Sequence, residues 1–312
     1  MGTGTGLAWA GARHRPGPWL LLALGLALAA VMPLAAAGLQ ERAAVGAVQQ
    51  GVGAVPEPAR GVLAVTSRDL RGAELADVSA RVATGLERAG LPTPTRALAF
   101  RALSLQGTDA TVAALDGLAD HVTLTEGRLP AACTPTRCEV LAVAGPGSDG
   151  SAAGLAAPAR DLGLVVTGTA TLREPRLVGL GLVAAGQPLL LGDDASAMAD
   201  LETLTAYGRN LAWFAPLDAD VVTARGPAAF AGSLDAVAAE VNLVAGPLNI
   251  AWPDAVVLDA AARAEGSSGR FAVLGVGAGS LQLGFCLVLA AARRPAQRQH
   301  GTLLSRRGAR PT

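Results

Sequence analysis

WLLLALGLALAAVMPLAAA, residues 19–37, contains no charged side chain, and neither does FAVLGVGAGSLQLGFCLVLAAA, residues 271–292. A helix needs about 20 apolar residues to cross the hydrocarbon core of a bilayer. Both stretches meet that length. The reading that follows is two transmembrane helices, at 18–38 and 271–292, around an intervening segment of residues 39–270. A cleaved signal peptide is the alternative for the first stretch, given its basic start and the small residues Ala35, Ala36 and Ala37. Its apolar run is longer than such a signal usually carries.

Charge decides the orientation. All 25 acidic residues lie between Glu41 and Glu265. Only 17 of the 25 Arg lie within residues 39–270, which leaves that interval at −8. The other eight, Arg13, Arg15, Arg293, Arg294, Arg298, Arg306, Arg307 and Arg310, stand outside it with no acid among them. Flanking Arg marks the cytoplasmic side of a span. Residues 1–17 and 293–312 are therefore expected in the cytoplasm, and 39–270 outside, in a multi-pass protein of the cell membrane.

The outer segment reads as an α+β domain. Strand candidates are 61–66, 97–105, 139–143 and 162–172. Helix candidates are 74–88, 195–206, 228–244 and 254–265. Leu75, Val78, Val82 and Leu86 share one face of the first of these helices. Residues 39–50 continue helically from the first span. Residues 51–58 read as a linker, 145–154 as a Gly/Ser-rich loop and 266–269 as a break before the second span.

Aromatic residues are 3% of the chain, so the core must be built from Ala, Val and Leu. There is no Lys. A phosphate-binding loop of the GxxxxGK[ST] type needs one, so this chain is not expected to hydrolyse ATP itself. The glycines of residues 275–279 fall within an apolar span with no soluble strand before them, which excludes a nucleotide loop. The acidic outer segment disfavours nucleic acid. No cofactor or metal site is indicated.

Cys133 and Cys138 lie in the outer segment, where an oxidising environment favours a disulfide. Closing so short a loop contributes roughly 2 kcal/mol. A metal pair is the weaker reading, because no further Cys or His cluster completes a zinc site. Cys286 reads as an apolar filler of the second span. Gly275 with Gly279, and Ser280 with Gly284, are spaced to let helices approach closely, and Gln282 would seek a hydrogen bond on another helix.

His121 follows Asp116 and Asp120, but no GxSxG elbow supports a hydrolase. It reads as a structural residue at a helix–strand junction. The pairs Asp193/Asp194 and Asp218/Asp220 read as solvated turns rather than cation ligands.

Three stretches carry a family likeness. They are GLADHVTLTEGRLP at 117–130 followed by Cys133, Cys138 and Glu139; residues 254–263 running into the Gly-rich span; and LLSRRGA at 303–309. In this order around the two spans, they resemble FtsX/MacB-like permease subunits of ABC transporters from GC-rich Gram-positive bacteria. The resemblance implies a non-enzymatic subunit that works with an ABC-type ATPase in trans and pairs its membrane helices as a homo- or hetero-dimer. It implies coupling to that ATPase near Leu303, Leu304, Arg306, Arg307 and Gly308. The family usually has at least two more spans after the second, so a truncated product or a fragment of a longer reading frame is expected. A membrane-tethered binding or scaffold domain with no ATPase is the competing expectation.

Overall fold

The computed structural model describes residues 16–101, 103–131, 133–144, 152–173 and 187–306. The predicted loop at 145–154 lies largely outside them. In chain order the elements begin with α1 (Pro16–Ala54), β1 (Gly61–Thr66), α2 (Gly72–Arg88), β2 (Thr95–Phe100), β3 (Leu103–Leu105) and β4 (Thr108–Leu115). There follow α3 (Leu118–His121), β5 (Val122–Gly127), β6 (Cys133–Thr134), β7 (Arg137–Val143), α4 (Ala156–Asp161) and β8 (Leu164–Leu172). The chain continues through β9 (Leu189–Gly192), α5 (Ala195–Ala199), β10 (Arg209–Pro216), α6 (Ala219–Arg225), α7 (Pro227–Ala245), β11 (Asn249–Ala251) and α8 (Asp254–Arg306).

Two compact units result, one spanning Val48–Ala260 and the other combining Met1–Ala47 with Ala261–Thr312. The first is the α+β domain. Its strands run β11-β1-β10-β2-β4-β9-β7-β8-β5, with β3 added to β4 and β6 to β7. The first four are antiparallel to each neighbour. β10 sits between β1 and β2, so β1-α2-β2 is a split βαβ unit, and β10-α7-β11 is its counterpart. This is the ferredoxin-like arrangement, with residues 101–208 inserted between its second and third strands.

The two long helices of that half lie side by side. Gly85 of α2 allows this, because a Cβ there would stand 2.7 Å from Cγ1 of Val237 on α7. Arg88 and Glu240 close the same interface with an N–O contact of 2.6 Å. Beneath α2, Trp213 of β10 is buried and its Nε1–H donates to Ser79 Oγ at 3.2 Å.

The insertion extends the same sheet. β4 pairs antiparallel with β2 and parallel with β9; β7 is parallel to β8 and antiparallel to β9. A continuous apolar core crosses the junction, from Leu63 and Phe214 through Ala99 and Ala113 to Leu141 and Leu191. Small aliphatic side chains dominate it, as the composition required.

The structure departs from the sequence reading in four places. The expected strand at 97–105 is two strands, because the chain leaves β2 at Phe100 and re-enters as β3. The expected helix at 195–206 stops at Ala199, where the Asp200 N–H turns back to Met198 and Ser196 carbonyls; a short 3-10 turn, Glu202–Leu204, follows. Residues 51–58 are not a linker: α1 runs to Ala54 and a 3-10 turn covers Glu57–Ala59. Nor is α8 broken at 266–269. Gly costs a helix only about 1 kcal/mol relative to Ala, which a long helix absorbs.

Among the described residues one helix is long and apolar enough to cross a membrane, the Ala23–Ala54 part of α1. The second expected span appears as a shorter apolar stretch, Val273–Leu289, inside the 53-residue α8.

Candidate functional site

An opening of the α+β domain lies where α1 ends against the sheet. It is a cleft of about 840 Å³, lined among others by Val52, Arg60, Leu91, Leu217, Asp218 and Val221. Val48, Val52 and Val55 bury the last turns of α1. Gly51 meets the first turns of α8, where an added Cβ would stand 3.0 Å from that of Ala260. Gln49 Nε2 donates to Asp220 Oδ1 at 3.3 Å. The walls are mostly apolar, and the polar groups at the rim are largely committed to one another.

The acidic residues singled out by sequence are structural. Asp218 accepts from the Asp220 N–H and caps α6. Asp194 caps α5 by accepting from the Ala197 N–H. Asp193 accepts from the Leu118 N–H at 2.7 Å. Asp116 accepts from the Ala195 N–H at 2.9 Å and lies 2.7 Å from Arg96 Nη2. Burial holds the Asp116 carboxyl above its usual value, despite that arginine and the amide. Of these carboxylates, Asp116 ties the insertion to β2 through Arg96, and the others are occupied by nearby backbone amides. No group of three or more His, Cys, Asp or Glu among the described residues could hold a metal ion. His121 ends α3 at the junction with β5, and its carbonyl accepts from the Arg173 N–H.

The structure contains the Cys133–Cys138 disulfide, joining directly opposite residues of the β6–β7 hairpin. The Pro135 carbonyl at the hairpin tip accepts from the Glu202 N–H at 2.8 Å. Beside the bridge, both Glu139 oxygens bind Arg128, at 2.6 and 2.7 Å, and Oε2 also accepts from the Ala131 N–H. The hydrogen bonds from Arg128, then that from Ala131, lower the Glu139 pKa to about 2. Non-reducing mass mapping of membrane-extracted protein should find Cys133 joined to Cys138. Cys133→Ala with Cys138→Ala should lower stability by roughly 2 kcal/mol; two free thiols in the native chain would contradict this.

The helical unit has its own packing seam. On α8, Gly279 and Cys286 are buried and Gly275 and Gln282 half-buried, a repeat of four, three and four residues. A Cβ on Gly275 would meet that of Ala36 at 2.8 Å; one on Gly25 would stand 2.5 Å from Cys286 Sγ and 3.8 Å from Gln282 Nε2. These approaches make α1 and α8 antiparallel partners along the seam. Small residues permit such contact in a membrane, where dispersion and hydrogen bonds replace the hydrophobic effect.

The pair Ser280/Gly284 does not belong to the seam. Both are exposed on the opposite side of α8, and Ser280 Oγ donates to the Val276 carbonyl of its own helix. Gly25, spaced four residues before Ala29, is the small-residue signal in the first span that the sequence reading overlooked. Gly275→Leu should separate the helices. A disulfide engineered through Gly25→Cys and the native Cys286 should form readily in the parent and at least several-fold more slowly in the variant. Equal rates would contradict the seam.

Outside the seam both helices present large apolar side chains. Leu34, Val273 and Leu281 are 73%, 74% and 78% exposed. Leu303, Leu304 and Arg306 fall on the last turns of α8. Arg307 and Gly308, like Arg13, His14, Arg15 and Arg310, lie outside the described residues. A scan against protein-family models and a search of curated proteins each return no match for the chain.

Proposed function

We propose that the chain is a membrane permease subunit of an ABC transporter, of the FtsX/MacB-like kind that its sequence resembles. A separate ATPase hydrolyses ATP, and movement passes along α1 and α8 to the extracytoplasmic α+β domain. Both α1 and the Val273–Leu289 stretch of α8 span the bilayer, with the two chain ends in the cytoplasm.

One observation carries the reading. In chain order the α+β domain falls between two helices that pair through small residues and present large apolar side chains outward. Soluble proteins rarely expose apolar surface so continuously, whereas lipid or further permease helices would cover it. The absence of Lys agrees with ATP being bound in trans.

The test is purification of the full chain from its native membranes. An ABC-type ATPase should copurify, and Arg306→Glu with Arg307→Glu should reduce its recovery several-fold. Full recovery after deletion of residues 295–312 would exclude coupling there. Recovery of no ATPase would favour the competing reading, a membrane-tethered binding or scaffold domain. The open, mostly apolar cleft beside Arg60 is the observation that favours that second reading.

A further inference from the structure

A helix leaves its last four carbonyls without intrahelical donors. Many helices satisfy them with a left-handed glycine just past the end. α1 has none: Ala54 is followed by Val55 and Pro56, and no residue near them has a positive φ. Arg60 supplies the donors instead. Its Nη2 donates to the Gly53 carbonyl at 3.0 Å and to the Val55 carbonyl at 3.0 Å, and its Nε reaches Val55 at 3.3 Å. A cation at this end also suits the helix dipole.

The backbone of Arg60 belongs to the sheet. Its carbonyl accepts from the Leu217 N–H just past β10, and the next residue, Gly61, opens β1. Gly61 is pressed against the ring of Phe214, leaving no room for a Cβ. Between the helix end and Arg60, three amides are engaged: Val55 to Val52, Ala59 to Pro56, and Arg60 to Glu57. A stretch composed like a linker is thereby fastened at every turn.

We propose that Arg60 is a clamp that makes the end of α1 and strand β1 one mechanical element, so that the last turns of α1 and the sheet move together. The other connection is similarly short. β11 ends at Ala251 and α8 begins at Asp254, with Trp252 held edge-on against Phe230 at 5.2 Å and Val257 fully buried. Use of the clamp in transport rests on the permease reading; the clamp itself does not, so the two fail separately.

The test uses the full chain in lipid nanodiscs, with Cys286→Ala and paired nitroxide labels. One pair, Gln50→Cys with Ala80→Cys, reads the end of α1 against α2. The other, Ala80→Cys with Thr125→Cys, reads only the α+β domain. The parent should give one narrow distance distribution for each pair. Arg60→Met, which keeps the stem but not the donors, should widen the first at least two-fold and leave the second unchanged. An unchanged first distribution, or equal widening of both, would overturn the proposal. Hydrogen exchange on the native chain covers the case in which Arg60→Met does not fold. The amides of Val55, Ala59 and Arg60 should be protected like those of residues 48–52, and exchange at free-peptide rates would overturn the clamp.

Discussion

Trp213→Ala is expected to destabilise the α+β domain by about 4 kcal/mol, within the range for emptying an aromatic site in a core. Trp213 is 1% exposed and belongs to a chain with few aromatic residues. Across β10 its register partners are Ala64 and Arg96, and α2 lies on top of it. Ala64 has no reach to close the space and Arg96 is held by Asp116, so the cavity would persist. The indole also loses its bond to Ser79, a smaller effect that Ser79→Ala isolates at about 1 kcal/mol. Urea unfolding of the full chain, followed by hydrogen exchange in β2 and β10, measures both. A loss below 1 kcal/mol for Trp213→Ala would mean that this half is not held together as described.

The second large effect centres on Arg209, at the start of β10 where the insertion rejoins the ferredoxin-like half. The residue is 2% exposed. Nη1 donates to the Ala199 carbonyl at 2.6 Å, Nη2 lies 2.8 Å from Asp69 Oδ1, and the guanidinium sits over the Phe100 ring. Its Nε has no hydrogen-bond partner. Burial lowers the Arg209 pKa, because desolvation disfavours the cation. Removing the counter-ion should therefore hurt more than removing the cation. Asp69→Ala leaves a buried guanidinium short of an anion and should cost about 3 kcal/mol, the low end because Asp69 is itself half-exposed and screened. Arg209→Met removes the charge, keeps the packing and orphans one carbonyl, for about 1–2 kcal/mol.

The Asp69 carboxyl is held below its usual 3.8, first by its hydrogen bond with Arg71 and then by the Arg209 charge. Its contribution is thus present above that pH and is lost as pH falls below it. The same urea titration, repeated on both variants, reads the order. Arg209→Met costing more than Asp69→Ala would contradict the desolvation argument.

Much of the domain could be read from the chain because its elements carry strong local signals. Helix α2 has Leu75, Val78, Val82 and Leu86 at helical spacing, and all four are buried. β1 and β8 are rich in Val and Thr. The strands that sequence did not resolve have none of that contrast. β9 is Leu-Leu-Leu-Gly, buried throughout, and β10 is apolar along most of its length. Short continuous apolar runs do not distinguish a central strand from a buried helix. β4 is Ala-rich, with low strand propensity.

The insertion was illegible for another reason. Pairing β2 with β10 joins residues more than a hundred positions apart, and no local pattern records that choice. Of the candidate site, Gly275 and Gly279 stood out by their spacing, Gln282 by its amide within an apolar span, and the cysteine pair by its place in the outer segment; spacing equally marked Ser280 and Gly284, which lie off the seam. Arg60 did not, since one arginine after a Gly/Pro-rich stretch looks like solvent-exposed charge until the helix end beneath it is seen.

The proposed permease role depends most on which side of the membrane holds residues 48–260. Ala80→Cys and Thr312→Cys, made singly in a Cys286→Ala chain, would be exposed to a membrane-impermeant maleimide on intact cells. With the α+β domain outside, Cys at position 80 is labelled at once and Cys at position 312 only after permeabilisation. Labelling of position 312 on intact cells, with position 80 protected until the membrane is opened, would contradict that orientation.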